Sequence, residues 1–314
     1  MKFFIKITPL IFLFAFINSY SQFKTVYNDK DGTNVYVPMG KISFADEVME
    51  FNLGTPRPFE KFKDSSQILH EPNYTRYEIP DFVSLGCGGN IILKFTNNGF
   101  MNLKGNDLYI FEVGPSKEPA LLEISTDGEY WIFAGETQGG KSSIDLEDAE
   151  VDRETIFHYI RITDLRGVCH SKTAGVDIDA VAALNSVIKL NIAADVLFDV
   201  AKFDLKKTAQ KTLDSISIIL KQIPKATILI EGHTDSDGDD VSNLELSKNR
   251  CISVENRLSA IIENSDRFNI EIKPYGESKP RILNNSVLNK QLNRRVEITV
   301  LPPNEYYESL TEKN

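Results

Sequence analysis

The sequence predicts an N-terminal all-β sandwich, jelly-roll-like in character, followed by a C-terminal α+β domain. Two observations support this division. Up to about residue 185, short runs rich in Ile, Val, Phe and Tyr are separated by turns that contain Gly, Asn and Asp. Beyond that point, apolar residues recur at helical spacing between β-type runs, which is typical of helices packed on a sheet.

The first segment, residues 1–21, reads as a secretory signal peptide. Lys2 and Lys6 provide positive charge, an uncharged apolar run follows, and Ser19-Tyr20-Ser21 gives a small-x-small cleavage pattern. The uncharged run is shorter than the roughly 20 apolar residues that a spanning helix needs. With no Cys near the cleavage site, a lipoprotein anchor is not expected. We therefore expect an exported protein in the periplasm, associated with the outer membrane.

The net charge excludes one class of partner. The 314-residue chain has a formal charge of −10, and loss of the signal segment would make it more acidic still. Because phosphate binding needs a basic face, nucleic acid is not an expected partner. The length remaining after residue 21 accommodates two ordinary domains.

The first domain is predicted to span residues 22–187. Its Gly-rich loops and short strands resemble the sandwich modules of bacterial cell-surface proteins, which implies contact with a surface protein or a glycan. Seven segments have strand character: Thr33–Val37, Ile91–Thr96, Leu108–Val113, Ala120–Ser125, Trp131–Gly135, Tyr159–Thr163 and Ile178–Leu184.

Three cysteines remain in the exported chain. Cys87 and Cys169 both lie in Gly-containing loop sequence, whereas Cys251 lies on a helical face with small and apolar neighbours. In an oxidising compartment this pattern predicts a Cys87–Cys169 disulfide and a free Cys251. The alternative is three buried thiols.

Four acids near predicted strand ends form a candidate calcium site: Asp107, Glu112, Asp177 and Asp179. Calcium takes six to eight oxygen ligands, and strand alternation would place Asp177 and Asp179 on one side. The alternative is that these acids cap turns. No other cofactor is expected, and the four histidines have no metal-ligand spacing.

The second domain is predicted to span residues 188–302 in the order β-α-β-α-β-β, with both helices on one face of a mixed sheet. An apolar stripe between Leu205 and Ile223 predicts the first helix, which Pro224 ends. A second helix is predicted over residues 243–262. Pro302-Pro303 ends the last strand, and residues 303–314 are expected to form a flexible tail.

The most informative stretch is Ala226–Cys251, in which a β-type run passes through a polar turn into a helix. Asp235 follows the strand, and Arg250 lies two turns into the helix, so chain reversal can bring them to one rim. Such a pair suits a zwitterion, because Asp takes an ammonium and Arg holds a carboxylate through two parallel N–H bonds. The alternative is an exposed ion pair worth about 0–1 kcal/mol.

These residues resemble the OmpA-like peptidoglycan-binding domain family over about residues 190–301. One departure is Cys251, where the family usually has Ala. The pattern is carried by Gly232-His233-Thr234-Asp235, Gly238, Asn243, Leu246-Ser247, Arg250, Gly276 and Asn293-Arg294-Arg295-Val296-Glu297.

The resemblance implies a ligand and the residues that hold it. The ligand is the diaminopimelate residue of peptidoglycan stem peptides, with Asp235 on its amino group and Arg250 on its carboxylate. Thr234 and Asn243 are expected to line the pocket, and Arg294 or Arg295 to support the binding region.

The resulting prediction is a non-catalytic cell-envelope tether whose partner is peptidoglycan. The main alternative is a surface lectin or adhesion module, in which the sandwich binds a glycan or an outer-membrane or surface protein and the C-terminal domain only moors it. A wall-remodelling enzyme is a further alternative, although no nucleophile elbow or phosphate loop is present in the sequence.

Overall fold

The computed structural model describes residues 23–113, 118–137, 142–262 and 265–311. The predicted signal segment, residues 1–21, lies outside these ranges. Within them, none of the helices has the length and apolar character needed to cross a bilayer.

The N-terminal region is mostly β, as predicted, and contains several sheets. Strands β1 and β2 form a hairpin, a four-stranded sheet has the order β10-β7-β12-β4, and a five-stranded sheet has the order β3-β5-β11-β8-β9. The strands are β1 (Val26–Asn28), β2 (Asn34–Tyr36), β3 (Glu47–Asn52), β4 (Val83–Ser84), β5 (Asn90–Lys94), β6 (Gly99–Phe100), β7 (Leu108–Glu112), β8 (Ala120–Ser125), β9 (Ile132–Thr137), β10 (Ser143–Ile144), β11 (Tyr159–Asp164) and β12 (Asp177–Ala183).

The core of this region follows from strand alternation. In β5 and β11 every second residue is buried, which directs Ile91 and Ile160 into the same hydrophobic cluster as Ile110 of β7 and Ile178 of β12. Strands β7 and β12 are buried along their whole length because a second cluster, which includes Phe44, covers their other face. The two larger sheets therefore share one core, while the jelly-roll topology stays a prediction.

The disulfide joins two loops of this region, as predicted. Cys87 follows β4 and Cys169 follows β11, and their Cα atoms lie 5.2 Å apart. Cys251 is a free, buried thiol.

The C-terminal part is an α/β domain built on a mixed sheet. Strand β14 is parallel to β15 and antiparallel to β16, which in turn is antiparallel to β13. Helices α2 and α3 contribute to one core with these strands, so the predicted β-α-β-α-β-β order is present, with short helices added. The elements are β13 (Ser186–Ala193), α1 (Ala194–Leu197), α2 (Ala209–Leu220), β14 (Ala226–His233), α3 (Asp240–Ile261), β15 (Phe268–Gly276), α4 (Val287–Asn293), β16 (Arg295–Leu301) and α5 (Asn304–Thr311).

The two parts are joined through β13. Its first two residues, Ser186 and Val187, pair with β6 of the N-terminal region, and its remaining residues pair with β16. The sheet of the C-terminal domain thus gains a fifth strand, β6, from the N-terminal region. The boundary predicted between residues 187 and 188 falls inside this strand.

The prediction of a flexible tail over residues 303–314 is wrong for the part that the structure describes. Residues 304–311 form α5, and Tyr306 is buried with its ring centroid 5.8 Å from that of Tyr36. Tyr307 donates a hydrogen bond from its hydroxyl to the Asn185 side chain at 3.1 Å. These contacts are with the N-terminal region, far away in sequence, so the local polarity of the segment did not indicate them.

Candidate functional site

The candidate site lies where β14 ends and α3 begins. The Thr234 N–H donates to the carbonyl of Gly276 at 2.8 Å, and Asp239 caps α3 by accepting from the Ser242 N–H at 3.0 Å. Gly232 lets strand and helix approach closely, because a Cβ there would lie 2.5 Å from the Ser247 carbonyl oxygen. The same Cβ would lie 2.7 Å from the sulfur of Cys251, so the glycine and the small residue pack together.

A pocket of about 380 Å³ opens at this point. Its wall combines apolar and charged side chains, which come from the β14–α3 loop, from α3, from the residue after α4, and from α1 and the α1–α2 connection. The lining residues are Ala194, Asp195, Phe198, Asp199, Val200, Ala201, Lys206, Thr234, Asp235, Asp237, Asn243, Leu246, Arg250 and Arg294. Five of the six residues predicted to bind ligand are therefore brought together.

The Asp235 carboxylate is held from two sides. One oxygen accepts from the Asp237 N–H at 3.1 Å, and the other forms an ion pair with the Arg294 guanidinium. Asp235 is only 6% exposed, so its orientation towards the pocket is fixed by these contacts. The ion pair with Arg294 had no signal in the sequence beyond the presence of the two arginines before β16.

Arg250 is buried with much of its hydrogen-bonding capacity unused. Its Nε donates to the carbonyl of Lys202 at 3.0 Å, and its guanidinium lies 5.2 Å from the ring centroid of Phe198. The described residues give its two terminal Nη groups no hydrogen-bond partner. Burial lowers the pKa of Arg250, the neighbouring charge of Arg294 lowers it further, and Asp235 opposes both effects.

Asn243 and Thr234 have different roles at the pocket. The Asn243 side-chain N–H₂ donates to the carbonyl oxygens of Asp235 and Asp237 and, at 2.6 Å, to the Glu277 carboxylate. Asn243 therefore shapes the loop that presents Asp235. The Thr234 hydroxyl is buried and has no hydrogen-bond partner in the described part of the chain, although it lies at the pocket wall.

The expectation that Arg295 could support the pocket is wrong. Arg295 is buried outside the pocket lining, and its Nε donates to Glu297 at 2.6 Å. Successive residues of an extended chain point in opposite directions, so Arg294 and Arg295 cannot both face the ligand. Burial alone would raise the pKa of Glu297, but hydrogen bonds from Lys189 and Arg295 outweigh it and lower that pKa to about 2.

His233, at the end of β14, lies on the side away from the ligand groups. Its ring stacks on Tyr275 with centroids 5.3 Å apart, and it is absent from the pocket lining. Burial, assisted by the charge of Arg295, lowers the pKa of His233 to about 4. The imidazole is therefore neutral at neutral pH and acts as a packing group.

The four calcium candidates do not form a site. Asp107 precedes β7 and Glu112 ends it, and a five-residue strand separates its ends by about 17 Å. Asp107 accepts hydrogen bonds from Asn185 and from two backbone N–H groups, and burial raises its pKa to about 6.

Asp177 and Asp179 are likewise occupied by protein donors. Asp177 accepts from the Ser84 hydroxyl, whereas Asp179 accepts from the N–H groups of Asn73 and Tyr74. Burial raises the pKa of Asp177 to about 8 and that of Asp179 to about 7. Among the described residues no group of three or more metal-binding side chains is positioned to hold an ion.

Sequence reasoning missed the apolar wall of the pocket. Phe198, Val200 and Leu246 line it, and Phe198 also supports the Arg250 guanidinium. Phe198 and Val200 lie in the connection between α1 and α2, which has no regular period. No sequence pattern identifies these two residues. Val200 stands out only in the structure, where its side chain is apolar and yet 94% exposed.

The fold and the pocket together define an α/β domain with a charged, partly apolar binding pocket at a strand-to-helix loop. Residues 197–294 match the OmpA family. Over 293 residues the chain is 31% identical to outer membrane porin F of Pseudomonas aeruginosa, a match that covers 90% of this chain and 79% of that protein. The chain belongs to the OmpA family.

Two further matches cover less than half of this chain. The probable lipoprotein YiaD of Escherichia coli is 33% identical over 131 residues, which cover 42% of this chain and 58% of YiaD. The solved cell wall anchor of the T6SS from Pseudomonas aeruginosa is 29% identical, and the match covers 38% of this chain and 85% of that structure with a TM-score of 0.33. The chain thus spans only about half the length of YiaD.

Proposed function

We propose that the pocket binds the diaminopimelate residue of peptidoglycan stem peptides and that the protein is a non-catalytic tether of the cell envelope. The observation that carries this proposal is the buried Arg250, whose terminal N–H groups have no partner among the described residues and which shares a pocket with Asp235. Arg250 lines the pocket, so a bound carboxylate could accept from these free donors through two charge-assisted hydrogen bonds.

The charges of the pocket favour a ligand that has both signs. Arg250 and Arg294 lie near enough for the second to lower the pKa of the first, and Asp235, which pairs with Arg294, raises the pKa of Arg250 without an ion pair to it. A ligand carboxylate would relieve the repulsion between the two guanidinium groups. The ligand ammonium would then take the place of part of the Arg294 contact at Asp235.

The apolar wall selects for an aliphatic chain behind the charged end. Phe198, Val200 and Leu246 line the approach to Asp235 and Arg250. Diaminopimelate has methylene groups that can lie on this wall and ends in both an ammonium and a carboxylate. A lysine side chain has the methylene groups and the ammonium but offers no carboxylate to Arg250.

We further propose that residues 22–187 form an interaction unit and residues 188–302 the peptidoglycan-binding unit of an exported, outer-membrane-associated protein. The similarity to an outer membrane protein supports this location. A single zwitterion should bind with micromolar to millimolar affinity, about −8 to −4 kcal/mol. Retention on the wall would come from the many identical sites on the polymer.

The test is sedimentation of the full chain with purified sacculi. Asp235→Asn and Arg250→Ala should each reduce binding by at least about tenfold, or about 1.4 kcal/mol. Arg257→Ala is the matched control, because Arg257 lies two turns further along α3 and pairs with Asp214. Free diaminopimelate should release the wild-type protein, whereas lysine whose α-amino and α-carboxyl groups are blocked should not.

Wild-type binding by both the Asp235 and the Arg250 variants would overturn this assignment. Release of muropeptides from the sacculi during the incubation would instead support a wall-remodelling enzyme.

A second candidate function is glycan or protein adhesion through the N-terminal region. It is favoured by exposed aromatic residues at the edge of the five-stranded sheet, where Tyr130 is 78% and Phe133 is 55% exposed. Next to them, the Arg161 guanidinium lies 4.5 Å from the Trp131 ring. Binding to a soluble glycan that the Asp235→Asn variant retains would support this function.

A further inference from the structure

A second hollow of about 270 Å³ adjoins the pocket. It shares two lining residues with the pocket, Asp237 and Arg294, and its other lining residues are Asn284, Asn285, Ser286, Val287 and Lys290. We call it the amide hollow. Because Asp237 and Arg294 border both spaces, a ligand that fills the pocket can continue into the amide hollow.

The shared border consists of two neighbouring ion pairs. Lys290 donates to the Asp237 carboxylate at 2.5 Å, and Arg294 pairs with Asp235. Both cations come from α4 and the residue after it, and both anions come from the β14–α3 loop. These two ion pairs hold the C-terminal end of α4 against the β14–α3 loop, beside the entrance for the proposed ligand.

The wall of the amide hollow is ordered before any ligand arrives. Asn293, which is fully buried, accepts from the N–H groups of Arg281 and Ile282 and donates to the Asn284 side chain at 2.8 Å. Ser286 accepts from the Asn289 N–H at 3.1 Å. Side chains held in this way lose little entropy on binding.

The chemistry of the amide hollow suits a peptide chain. The Asn285 side-chain oxygen accepts from Asn289, whereas its N–H₂ has no hydrogen-bond partner in the described part of the chain. Lys290 has spent one of its three donors on Asp237. Amide and ammonium donors are complementary to peptide carbonyl oxygens, and Val287, which is 83% exposed, can contact a small side chain.

We infer that the amide hollow binds the peptide main chain next to the diaminopimelate residue. This inference rests on the proposed function, because a diaminopimelate held in the pocket belongs to a peptide whose main chain has to extend out of the pocket. The pocket would then bind the charged end of the diaminopimelate side chain, and the amide hollow would bind the main chain of the stem peptide that carries it. Free diaminopimelate would fill only the first of the two spaces.

The experiment compares two ligands by calorimetry on the full chain: free diaminopimelate and a soluble stem peptide that contains it. Wild type should bind the stem peptide more tightly. Asn285→Ala and Lys290→Met should each weaken stem-peptide binding by about three- to tenfold, as expected for one lost hydrogen bond. Free diaminopimelate should bind to both variants within about twofold of wild type.

Each variant has a matched control at the other end of the sheet. Asn269→Ala removes an exposed Asn that bonds locally to Glu271, and Lys225→Met removes a Lys that pairs with Glu305 at 2.6 Å. Neither lines the pocket or the amide hollow. Both controls should bind the two ligands as wild type does.

Equal weakening for both ligands, or none for either, would overturn the inference while leaving the pocket assignment in place. Failure of wild type to bind free diaminopimelate and stem peptide alike would defeat the proposed function, and the inference would fall with it. Thermal unfolding of each variant shows whether it is folded when binding is measured.

Discussion

The buried carboxylates of the N-terminal region and those of the C-terminal domain differ in what their oxygens face. Asp164 accepts hydrogen bonds from three backbone N–H groups, and Asp179 accepts from two. Asp235 is as buried as they are, but it lies at a pocket beside two guanidinium groups. Asp164 and Asp179 organise loops, although Asp179 also borders a hollow, whereas Asp235 lies at a pocket that two guanidinium groups line.

This difference shows that burial and charge alone do not identify a binding site. Burial raises the pKa values of Asp177 and Asp179 to about 8 and about 7, yet their donors are internal. Arg250 is the informative group, because its burial leaves donors without partners among the described residues. What marks the site is a buried polar group whose partner has to come from outside.

If the N-terminal carboxylates serve stability and Asp235 serves binding, removing the disulfide should have the largest effect on stability. Its removal should leave ligand binding intact. The Cys87→Ser/Cys169→Ser variant opens a link between residues 82 apart in sequence. In the chain-entropy model this lowers the free energy of unfolding by about 4 kcal/mol. Urea unfolding measures the loss, and Cys251→Ala, which breaks no bridge, is the control.

Sacculus binding by the folded fraction of the disulfide variant should match wild type. Loss of binding in fully folded protein would show that the pocket depends on the N-terminal loops, and would contradict the division.

A smaller effect is expected from Asp164→Ala. The change leaves the N–H groups of Gly88, Arg166 and Val176 without their acceptor, which should lower the free energy of unfolding by about 3 kcal/mol. Asp235→Asn should show the reverse behaviour, with much weaker sacculus binding and a small change in stability. Chemical denaturation measures the stability of both variants, and sedimentation measures their binding to sacculi. A similar loss of stability in both variants would contradict the difference proposed between the two regions.

A pH dependence of opposite sign is also expected in the two regions. Burial raises the folded pKa values of Asp177 and Asp179 to about 8 and about 7 from the ordinary value of 3.8. Between about pH 4 and 8 the unfolded chain releases these protons first, so their contribution to stability falls as pH rises. For His233 the pKa is lowered from 6.5 to about 4, so its contribution is lost as pH falls through that interval.

Amide hydrogen exchange at pH 5 and pH 8 distinguishes the two regions. Protection of β12 should be greater at pH 5 and that of β14 greater at pH 8. Asp177→Asn should flatten the response of β12 and leave that of β14 unchanged. Parallel responses in the two strands would contradict the assignment of these groups.

Much of the fold could be predicted because its signals are local. The alternation of Ile91 and Leu93 indicated β5, and the apolar stripe that ends before Pro224 indicated α2. The two-residue strands β4, β6 and β10 were missed, since two residues have no period. Helix α5 was missed because Tyr306 is buried against Tyr36, which is distant in sequence.

The site was predicted as far as the motif defines it. Asp235, Arg250, Thr234, Asn243 and Arg294 do line one pocket. The choice between Arg294 and Arg295 depends on which residue begins β16, and a shift by one position exchanges the two faces. The acids proposed for calcium do not come together because protein donors occupy them, such as the Ser84 hydroxyl at Asp177 and two backbone N–H groups at Asp179, and composition does not reveal these donors.

The way in which β13 begins has a mechanical consequence. Only Leu184 and Asn185 lie between β12 and β13, and both are buried. A pull exerted on the C-terminal domain would pass directly into β12 of the N-terminal region, because the connection contains no flexible linker. Partners bound to the two regions would therefore stay at a constant distance and orientation, so the protein would act as a rigid connector rather than as a flexible one.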